Sequence, residues 1–436
     1  LVDGTYKVYA VDAAGNLSNA SSNSVTLDTT APAITGTTVT SNNEIIAVTF
    51  SEAVYNTSGG SGALEASDFT LTISGGTATL ASATPSSISS SSNTYTLGLS
   101  LSGTPNGSET ITVVPSSSTA IYDAVGNAAS TSQSNNTVTL NEQTAPTIIG
   151  TTVASNNASI AVTFSEAVYN TSGGSGALEA SDFTLTISGG TATLASATPS
   201  SISSSSNTYT LGLSLSGTPN GSETITVVPS SSTAIYDAVG NAASTSQSNN
   251  TVTLNDKTAP TAAITYSATA PFKNGDANVV ITATFNGAVL VSPVPTIAIA
   301  GSGIAATSST VMTNTSSTVY TYTYTVPTGD GTGTVTVGTG TDAAGNVVTS
   351  TPTSGATFTV DNTAPTLSSV SIASNNSTTT LAKVADVVTL TFTASETIAT
   401  PVVTFQSGGA AITDTSVTYV NTSGNIWTAA YTANAS

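Results

Sequence analysis

The sequence contains no cysteine, no histidine and no arginine, and its four lysines stand against 23 acidic residues. Without cysteine, disulfides cannot stabilise the fold. Without histidine, cysteine or arginine, no Ser-His-Asp triad, Cys-His pair or zinc site of the usual composition can form. The formal charge of −19 also argues against nucleic acid, because a phosphate backbone is bound by clustered cations. We therefore expect neither an enzyme of those classes nor a nucleic-acid-binding protein.

Long apolar runs are missing as well. No stretch approaches the roughly 20 residues of a membrane span, and the acidic balance disfavours anionic membrane surfaces. Charged residues make up only 6% of the chain, and hydrophobic residues make up 38%, so the composition is not that of a charge-rich disordered segment. A chain of 436 residues has room for three or four domains, each with its own core.

A recurring motif divides the chain. It consists of Asp-x-x-Gly-Asn, a Ser/Thr-rich tract, a short alternating strand that ends at an acidic residue, and Thr-Ala-Pro close behind. Between the motifs, residues 47–141 return unchanged as residues 161–255, an offset of 114 residues, which identifies a tandem array. The motif carboxylates and amides, in chain order, are Asp12, Asn16 and Asp28; Asp123, Asn127 and Glu142; Asp237, Asn241 and Asp256; Asp342, Asn346 and Asp361.

Apolar residues alternate with Thr and Ser in short runs throughout each unit. This period of two predicts half-buried strands, and the Gly, Asn, Ser and Pro clusters between the runs predict turns. About seven such strands per unit predict an all-β fold of tandem immunoglobulin-like β-sandwich domains in an extended array. The predicted parts are the last strand pair of an incomplete domain at 1–30, repeat 1 at 31–142, repeat 2 at 143–256, a third domain at 257–362, and an incomplete domain lacking its last strands at 363–436.

Three segments carry a family resemblance: Val-Asp-Ala-Ala-Gly-Asn at 11–16, Leu-Asp-Thr-Thr-Ala-Pro at 27–32 and Val-Thr-Phe-Ser-Glu-Ala-Val at 48–54. With them the whole chain resembles bacterial Ig-like repeats, the modules of large surface adhesins, S-layer proteins and extracellular fibres. The resemblance implies an extracellular or cell-surface location and a rod-like array. It also implies Ca²⁺ near the domain junctions in some members.

The motif residues have two interpretations. Carboxylate and amide oxygens are the ligands that Ca²⁺ prefers, so all twelve residues named above are candidate calcium ligands. Alternatively, each Asp caps a tight loop with its side chain while Gly and Asn adopt positive φ, and no metal is needed. The sequence leaves both open, because it does not show whether the loop and junction oxygens are adjacent.

Catalysis by paired carboxylates is the remaining enzymatic possibility. Glu52, Glu65, Asp68 and Asp123 recur at the same offsets in the second copy, as Glu166, Glu179, Asp182 and Asp237. Duplicated catalytic sites on a tandem array are unusual, and we expect no enzyme here.

The most consistent function is structural: a subunit or segment of an extracellular filament, surface layer or adhesin stalk. Residues 5–11 and 24–28 are expected to supply strands that residues 363–436 lack, so copies of the chain could assemble head to tail by strand addition. Both ends could equally be cuts of one longer chain at the same phase of the repeat. The alternative function is an adhesin module whose loops bind a glycan or a cell-surface protein.

Overall fold

The computed structural model describes residues 1–412 and 416–434. The chain divides into two compact units, Leu1–Asp256 and Lys257–Ser436. The architecture is all-β, as predicted, and consists of tandem immunoglobulin-like sandwiches of small antiparallel sheets. In the described part of the chain the only helices are single 3₁₀ turns at Ala66–Asp68 and Ala180–Asp182. No helix there is long and apolar enough to cross a bilayer.

The first unit begins with an isolated hairpin and continues with repeat 1. The hairpin pairs β1 (Gly4–Lys7) with β2 (Ser24–Leu27). Repeat 1 contains two facing sheets, of order β3-β4-β8-β7 and β11-β10-β5, and a small ribbon of β6 and β9. Its strands are β3 (Ile34–Val39), β4 (Ile45–Phe50), β5 (Phe69–Ser74), β6 (Thr79–Leu80), β7 (Ile88–Ser91), β8 (Thr94–Gly98), β9 (Leu101–Ser102), β10 (Thr110–Pro115) and β11 (Thr137–Thr139).

Repeat 2 reproduces this arrangement strand for strand. Its sheets have the orders β12-β13-β17-β16 and β14-β19-β20, with a ribbon of β15 and β18. The strands are β12 (Ile148–Val153), β13 (Ser159–Phe164), β14 (Phe183–Ser188), β15 (Thr193–Leu194), β16 (Ile202–Ser205), β17 (Thr208–Gly212), β18 (Leu215–Ser216), β19 (Thr224–Pro229) and β20 (Thr251–Thr253).

An aromatic cluster fills the space between the two sheets of each repeat. In repeat 1, Phe50 and Tyr95 come from neighbouring strands of one sheet, with ring centroids 5.9 Å apart and planes at 87°, and Phe69 reaches them from the other sheet. The alternation of these strands places every second side chain inside, which is why the period-two pattern predicted the core. The Tyr95 hydroxyl donates to the Val54 carbonyl at 3.3 Å, so its polar end is satisfied inside the core.

A buried carboxylate closes one loop of each repeat. Glu109 is fully buried, and its Oε1 accepts hydrogen bonds from the backbone N–H groups of Thr77 (2.6 Å) and Ala78 (2.9 Å). The side chain lies against Gly76, where φ is +58° and a Cβ would overlap the carboxylate. Burial alone would raise the pKa of Glu109, but the N–H groups of Ala78, Thr77 and Asn106 outweigh it and lower the pKa to about 2. Glu223 repeats the arrangement in repeat 2.

The second unit begins with a third sandwich. Its sheets have the orders β21-β22-β26-β25 and β24-β23-β27-β28, and they enclose a core in which Tyr320, Phe285 and Phe358 are buried. The strands are β21 (Ala262–Tyr266), β22 (Val279–Phe285), β23 (Thr296–Ser302), β24 (Thr307–Val311), β25 (Thr313–Ser316), β26 (Val319–Tyr324), β27 (Gly331–Gly338) and β28 (Thr357–Val360).

The last domain has one full sheet, of order β29-β30-β34-β33, and a two-residue ribbon of β31 and β32. Among the described residues, no second sheet covers the full one. Its strands are β29 (Leu367–Ser374), β30 (Val387–Ala394), β31 (Gln406–Ser407), β32 (Ala410–Ala411), β33 (Thr418–Ser423) and β34 (Ile426–Thr432).

We expect Glu109→Gln to lower the free energy of unfolding of repeat 1 by about 2 kcal/mol at neutral pH, because hydrogen bonds to a charged acceptor are lost. The folded-state pKa lies below the unfolded value, so this stabilisation is present above roughly pH 4.5 and disappears as the pH falls towards 2. Thermal unfolding at several pH values, with exposed Glu44→Gln as control, measures the difference. A variant that equals the parent at neutral pH would contradict the role given to this carboxylate.

Candidate metal centres at the domain junctions

The Asp-x-x-Gly-Asn motif forms a loop that the Asp side chain holds closed. In repeat 1, Asp123 Oδ1 accepts from the backbone N–H of Val125 (2.9 Å), Gly126 (2.6 Å) and Asn127 (2.8 Å). Its Oδ2 accepts from Asn127 Nδ2 at 2.7 Å. Gly126 has φ +100°, which explains the glycine. The turn interpretation is right about the capping by Asp123 and the positive φ of Gly126, but wrong about Asn127, which does not adopt positive φ and instead donates its side-chain amide to Asp123.

The loop also reaches the linker that precedes its own domain. Asn127 Nδ2 donates to the backbone carbonyl of Asp28 at 3.1 Å, although the two residues are 99 positions apart. In repeat 2, Asn241 Nδ2 donates to Glu142 Oε2 at 2.5 Å and to Asp237 Oδ2 at 2.7 Å. Each loop thus fixes the junction on its N-terminal side rather than the junction after the strand that follows it.

A third carboxylate joins each pair. Glu52 lies just beyond the end of β4 and Glu166 just beyond the end of β13, in the same Phe-Ser-Glu context. The structure brings Asp28, Glu52 and Asp123 together, with one oxygen from each within 4.8 Å of the others. Glu142, Glu166 and Asp237 form the equivalent group in repeat 2. We call these the first and second junction clusters.

Like charges crowd in both clusters. Burial and then the negative charges of Asp123 and Asp28 raise the pKa of Glu52. In the second cluster, burial and the neighbouring carboxylates raise the pKa values of Glu166 and Glu142, and Glu142 shares a hydrogen bond with Asp237. Burial opposes ionisation of Asp237, but hydrogen bonds from Glu142 and Asn241 lower its pKa. The close packing of the carboxylates therefore opposes the full ionisation of each cluster.

The remaining motif residues are placed differently. Asp12 and Asn16 close their own loop in the N-terminal hairpin, and Asp342 and Asn346 do the same in the third domain. Gly287 stands at the position of Glu52 in the third domain, so the third carboxylate is missing there. Asp256 lies beside Gly221 at the end of the first unit.

Part of a further junction group is present at the start of the last domain. The pKa of Glu396 is raised by desolvation and then by the charge and hydrogen bond of Asp361, with a smaller contribution from Asp330. Glu396 follows β30 as Glu52 follows β4, and Asp361 precedes its domain as Asp28 does. Sequence patterns did not indicate that Glu52, Glu166 and Glu396 lie at the junctions. Their shared signal is a Ser-Glu pair that directly follows the second strand of a domain.

The donor set fits a hard cation. The clusters offer carboxylate oxygens only, and the chain has no histidine or cysteine to favour zinc. Calcium takes six to eight oxygen ligands, including carboxylates, backbone carbonyls and water. Three converging carboxylates at each junction would supply the anionic half of such a shell, and a divalent cation would relieve the crowding that raises the glutamate pKa values.

Substituting Glu166 with Gln should stabilise repeat 2 in metal-free buffer at neutral pH. The raised pKa means that ionised Glu166 costs folding free energy above its folded-state pKa, and removing the charge recovers up to about 1 kcal/mol after solvent screening. The benefit should vanish at acidic pH, where the parent glutamate is protonated. Chemical denaturation in chelator, with Glu44→Gln as the control, tests this, and a destabilised Glu166→Gln protein would show that repulsion does not dominate.

Comparison with known proteins gives a limited result. No family model and no curated protein match the chain. Solved structures that align with it include FdeC, described as a broadly conserved Escherichia coli adhesin, with 15% identity, a TM-score of 0.28 and coverage of 76% of this chain and 96% of that one. The FN1–FN3 domains of chicken CNTN1 align with 9% identity, a TM-score of 0.23 and coverage of 76% and 100%. A Salmonella alpha-2-macroglobulin mutant aligns with 9% identity and a TM-score of 0.20, over 84% of this chain and 28% of that one. Such low TM-scores support no inference about function, and the class of the fold is established by its own strands and sheets.

Proposed function

We propose that this chain is a structural segment of a bacterial extracellular stalk, filament or surface layer, and that calcium at the junction clusters stiffens the connections between its domains. The observation that carries the proposal is the repeated geometry of the clusters. In each, one carboxylate belongs to the linker, and the other two belong to the sandwich that follows it. A cation held by all three would fix the linker to the domain.

Two further features favour a structural spacer over a module whose loops bind one specific ligand. Residues 47–141 and 161–255 are identical, so the two sandwiches present the same loops twice. The fold also ties each linker to the following sandwich, through the hydrogen bonds that Asn127 and Asn241 donate to Asp28 and Glu142. An extracellular location fits the same proposal, because extracellular modules bind calcium with dissociation constants of roughly 10⁻⁴–10⁻³ M.

Calcium should raise the melting temperatures of repeats 1 and 2. At a concentration well above the dissociation constant, each occupied site adds about 2 kcal/mol, which corresponds to a shift of roughly 5–10 °C for a domain of this size. Differential scanning calorimetry with calcium and with chelator measures the shift.

The two copies provide matched controls. Glu52→Gln should abolish the calcium-dependent rise in the melting temperature of repeat 1 and preserve that of repeat 2. Glu166→Gln should abolish the rise of repeat 2 and preserve that of repeat 1. Glu44→Ala should change neither shift, because repeat 2 naturally carries alanine at the equivalent position, Ala158. A parent protein whose melting is the same in calcium and in chelator would rule out the metal-stiffened junction.

We further propose that copies of the chain join head to tail by strand complementation. The motivating feature is that β1 pairs only with β2, and that the last domain has one full sheet among its described residues. A mass of the natural protein close to 42.7 kDa, measured on intact material, is the expected result for a self-assembling subunit. A much larger mass would instead mean that further units of the same chain complete the sandwich.

A further inference from the structure

A groove lies on repeat 1 where the linker to repeat 2 leaves the sandwich. Its volume is about 340 Å³, which falls within the roughly 300–1,000 Å³ of small-molecule sites. Leu99, Leu101 and Pro105 form the apolar part of its lining, and Leu99 and Pro105 are buried. The polar part includes the exposed Glu44, which belongs to neither junction cluster. The groove is therefore a feature of repeat 1 that the proposed function leaves unexplained.

Hydrogen bonds hold the polar side chains of the groove in place. Asn42 Nδ2 donates to Glu44 Oε2 at 2.7 Å, and Asn42 Oδ1 accepts from the Thr40 hydroxyl at 2.7 Å. Gln143 Nε2 donates to the Ser41 carbonyl at 2.8 Å. These bonds fix the orientation of both amides. A ligand would therefore meet groups that are already positioned, which lowers the entropy lost on binding.

The backbone around the groove is fixed as well. Asn43 is buried, and its side chain donates to the Asn141 carbonyl at 2.7 Å and accepts from the Asn141 N–H at 2.9 Å. The Gln143 N–H donates to the Pro105 carbonyl at 2.9 Å. The turn between β3 and β4, the loop before β10 and the linker thus form one hydrogen-bonded frame around the groove.

The two repeats differ at the groove. Residues 31–143 and 145–257 align without gaps and differ at only seven positions. Two of these positions line the groove, and a third orients an amide that lines it. The three changes from repeat 1 to repeat 2 are Thr40 to Ala154, Glu44 to Ala158 and Gln143 to Lys257. The identity of the copies, which favours a spacer, therefore does not extend to this groove.

The lining donates and accepts hydrogen bonds but offers no positive charge. Glu44 supplies an acceptor, and it is the only charged residue in the lining that the structure describes. The amides of Asn42 and Gln143 and the hydroxyl of Thr104 can each donate and accept. Phosphate and sulfate groups are disfavoured, because this lining has no cation to bind them. An ammonium group has donors only and would leave the amide N–H groups unmatched.

We propose that this groove binds a short neutral saccharide. Sugar hydroxyl groups both donate and accept, so they can donate to the Glu44 carboxylate and exchange hydrogen bonds with the amides of Asn42 and Gln143. The C–H face of a sugar ring would pack on the apolar part of the lining. Repeat 2 has Ala158 in place of the carboxylate, so the site belongs to repeat 1 alone. The inference goes beyond the proposed function, because a structural spacer needs no saccharide.

Saturation-transfer NMR on the whole chain, titrated with lactose and with maltose, tests the proposal. Both disaccharides are neutral, and we expect saturable binding of at least one of them in the millimolar range. A stronger lactose signal would indicate a galactose-terminated glycan as the natural ligand, and a stronger maltose signal would indicate a glucan. Glu44→Ala should weaken binding at least about tenfold, because hydrogen bonds to a charged acceptor are lost. Absence of binding by both disaccharides would overturn the proposal.

The chain offers a safe variant and a matched control. Glu44→Ala should fold as the parent does, because repeat 2 naturally carries Ala158 at that position. Glu65→Gln removes the charge of another exposed glutamate of repeat 1, beside the 3₁₀ turn before β5, and should bind the disaccharides as the parent does. Undiminished binding by Glu44→Ala, or an equal loss in Glu65→Gln, would show that the saccharide binds elsewhere and would overturn the site.

The class of the ligand and its independence from calcium are tested with the same proteins. Binding of the glucosamine disaccharide in the absence of any binding by lactose and maltose would overturn the neutral class, because the groove would then select a cation. The calcium experiments contain no saccharide, so Glu44→Ala should lose saccharide binding and keep the calcium-dependent melting of both repeats. Saccharide binding as expected in a protein whose melting ignores calcium would support the groove and refute the metal.

Discussion

The crowding of three carboxylates at a domain junction is the constraint on which the arrangement of this protein depends. Between Lys7 and Lys257 there is no basic residue at all, so the first and second junction clusters have no cationic side chain nearby in sequence to neutralise them. The fold nevertheless brings the three oxygens within 4.8 Å. Asn127 donates to the backbone carbonyl of Asp28 and Asn241 to the carboxylate of Glu142, but an amide donor does not remove like-charge repulsion. Like-charge repulsion therefore opposes this geometry, and a bound cation would relieve it.

Much of the fold follows from the sequence because its strands are half-buried. Alternation at Phe50, Phe69 and Tyr95 identifies inward side chains, and the structure places all three in one aromatic cluster. The capping of its own loop by Asp123 could also be predicted, because turn formation depends on neighbours only a few residues away. The sequence did not predict which residues form the junction clusters. Asp28 and Asp123 are far apart in sequence and only the fold brings them together, and the Ser-Glu pair at Glu52 does not by itself show that this glutamate will join them.

Buried Glu109 illustrates the same limit. Its role depends on backbone N–H groups about 30 residues earlier, at Thr77 and Ala78, and a sequence pattern does not show which loop will supply them. The N-terminal hairpin gives the opposite case, because the alternation of its residues predicted a strand pair and the structure pairs β1 with β2 in the register of β27 with β28.

Terbium luminescence tests the central claim, a cation at each junction, most directly. Tyr122 and Tyr236 immediately precede Asp123 and Asp237, so ultraviolet excitation of these rings should sensitise emission from a lanthanide bound in the clusters. The account predicts emission that saturates, is displaced by calcium, and falls by about half in Glu52→Gln and again in the Glu52→Gln/Glu166→Gln double variant, because each cluster loses a ligand. Emission that is absent, or that is unchanged in the double variant, would contradict it.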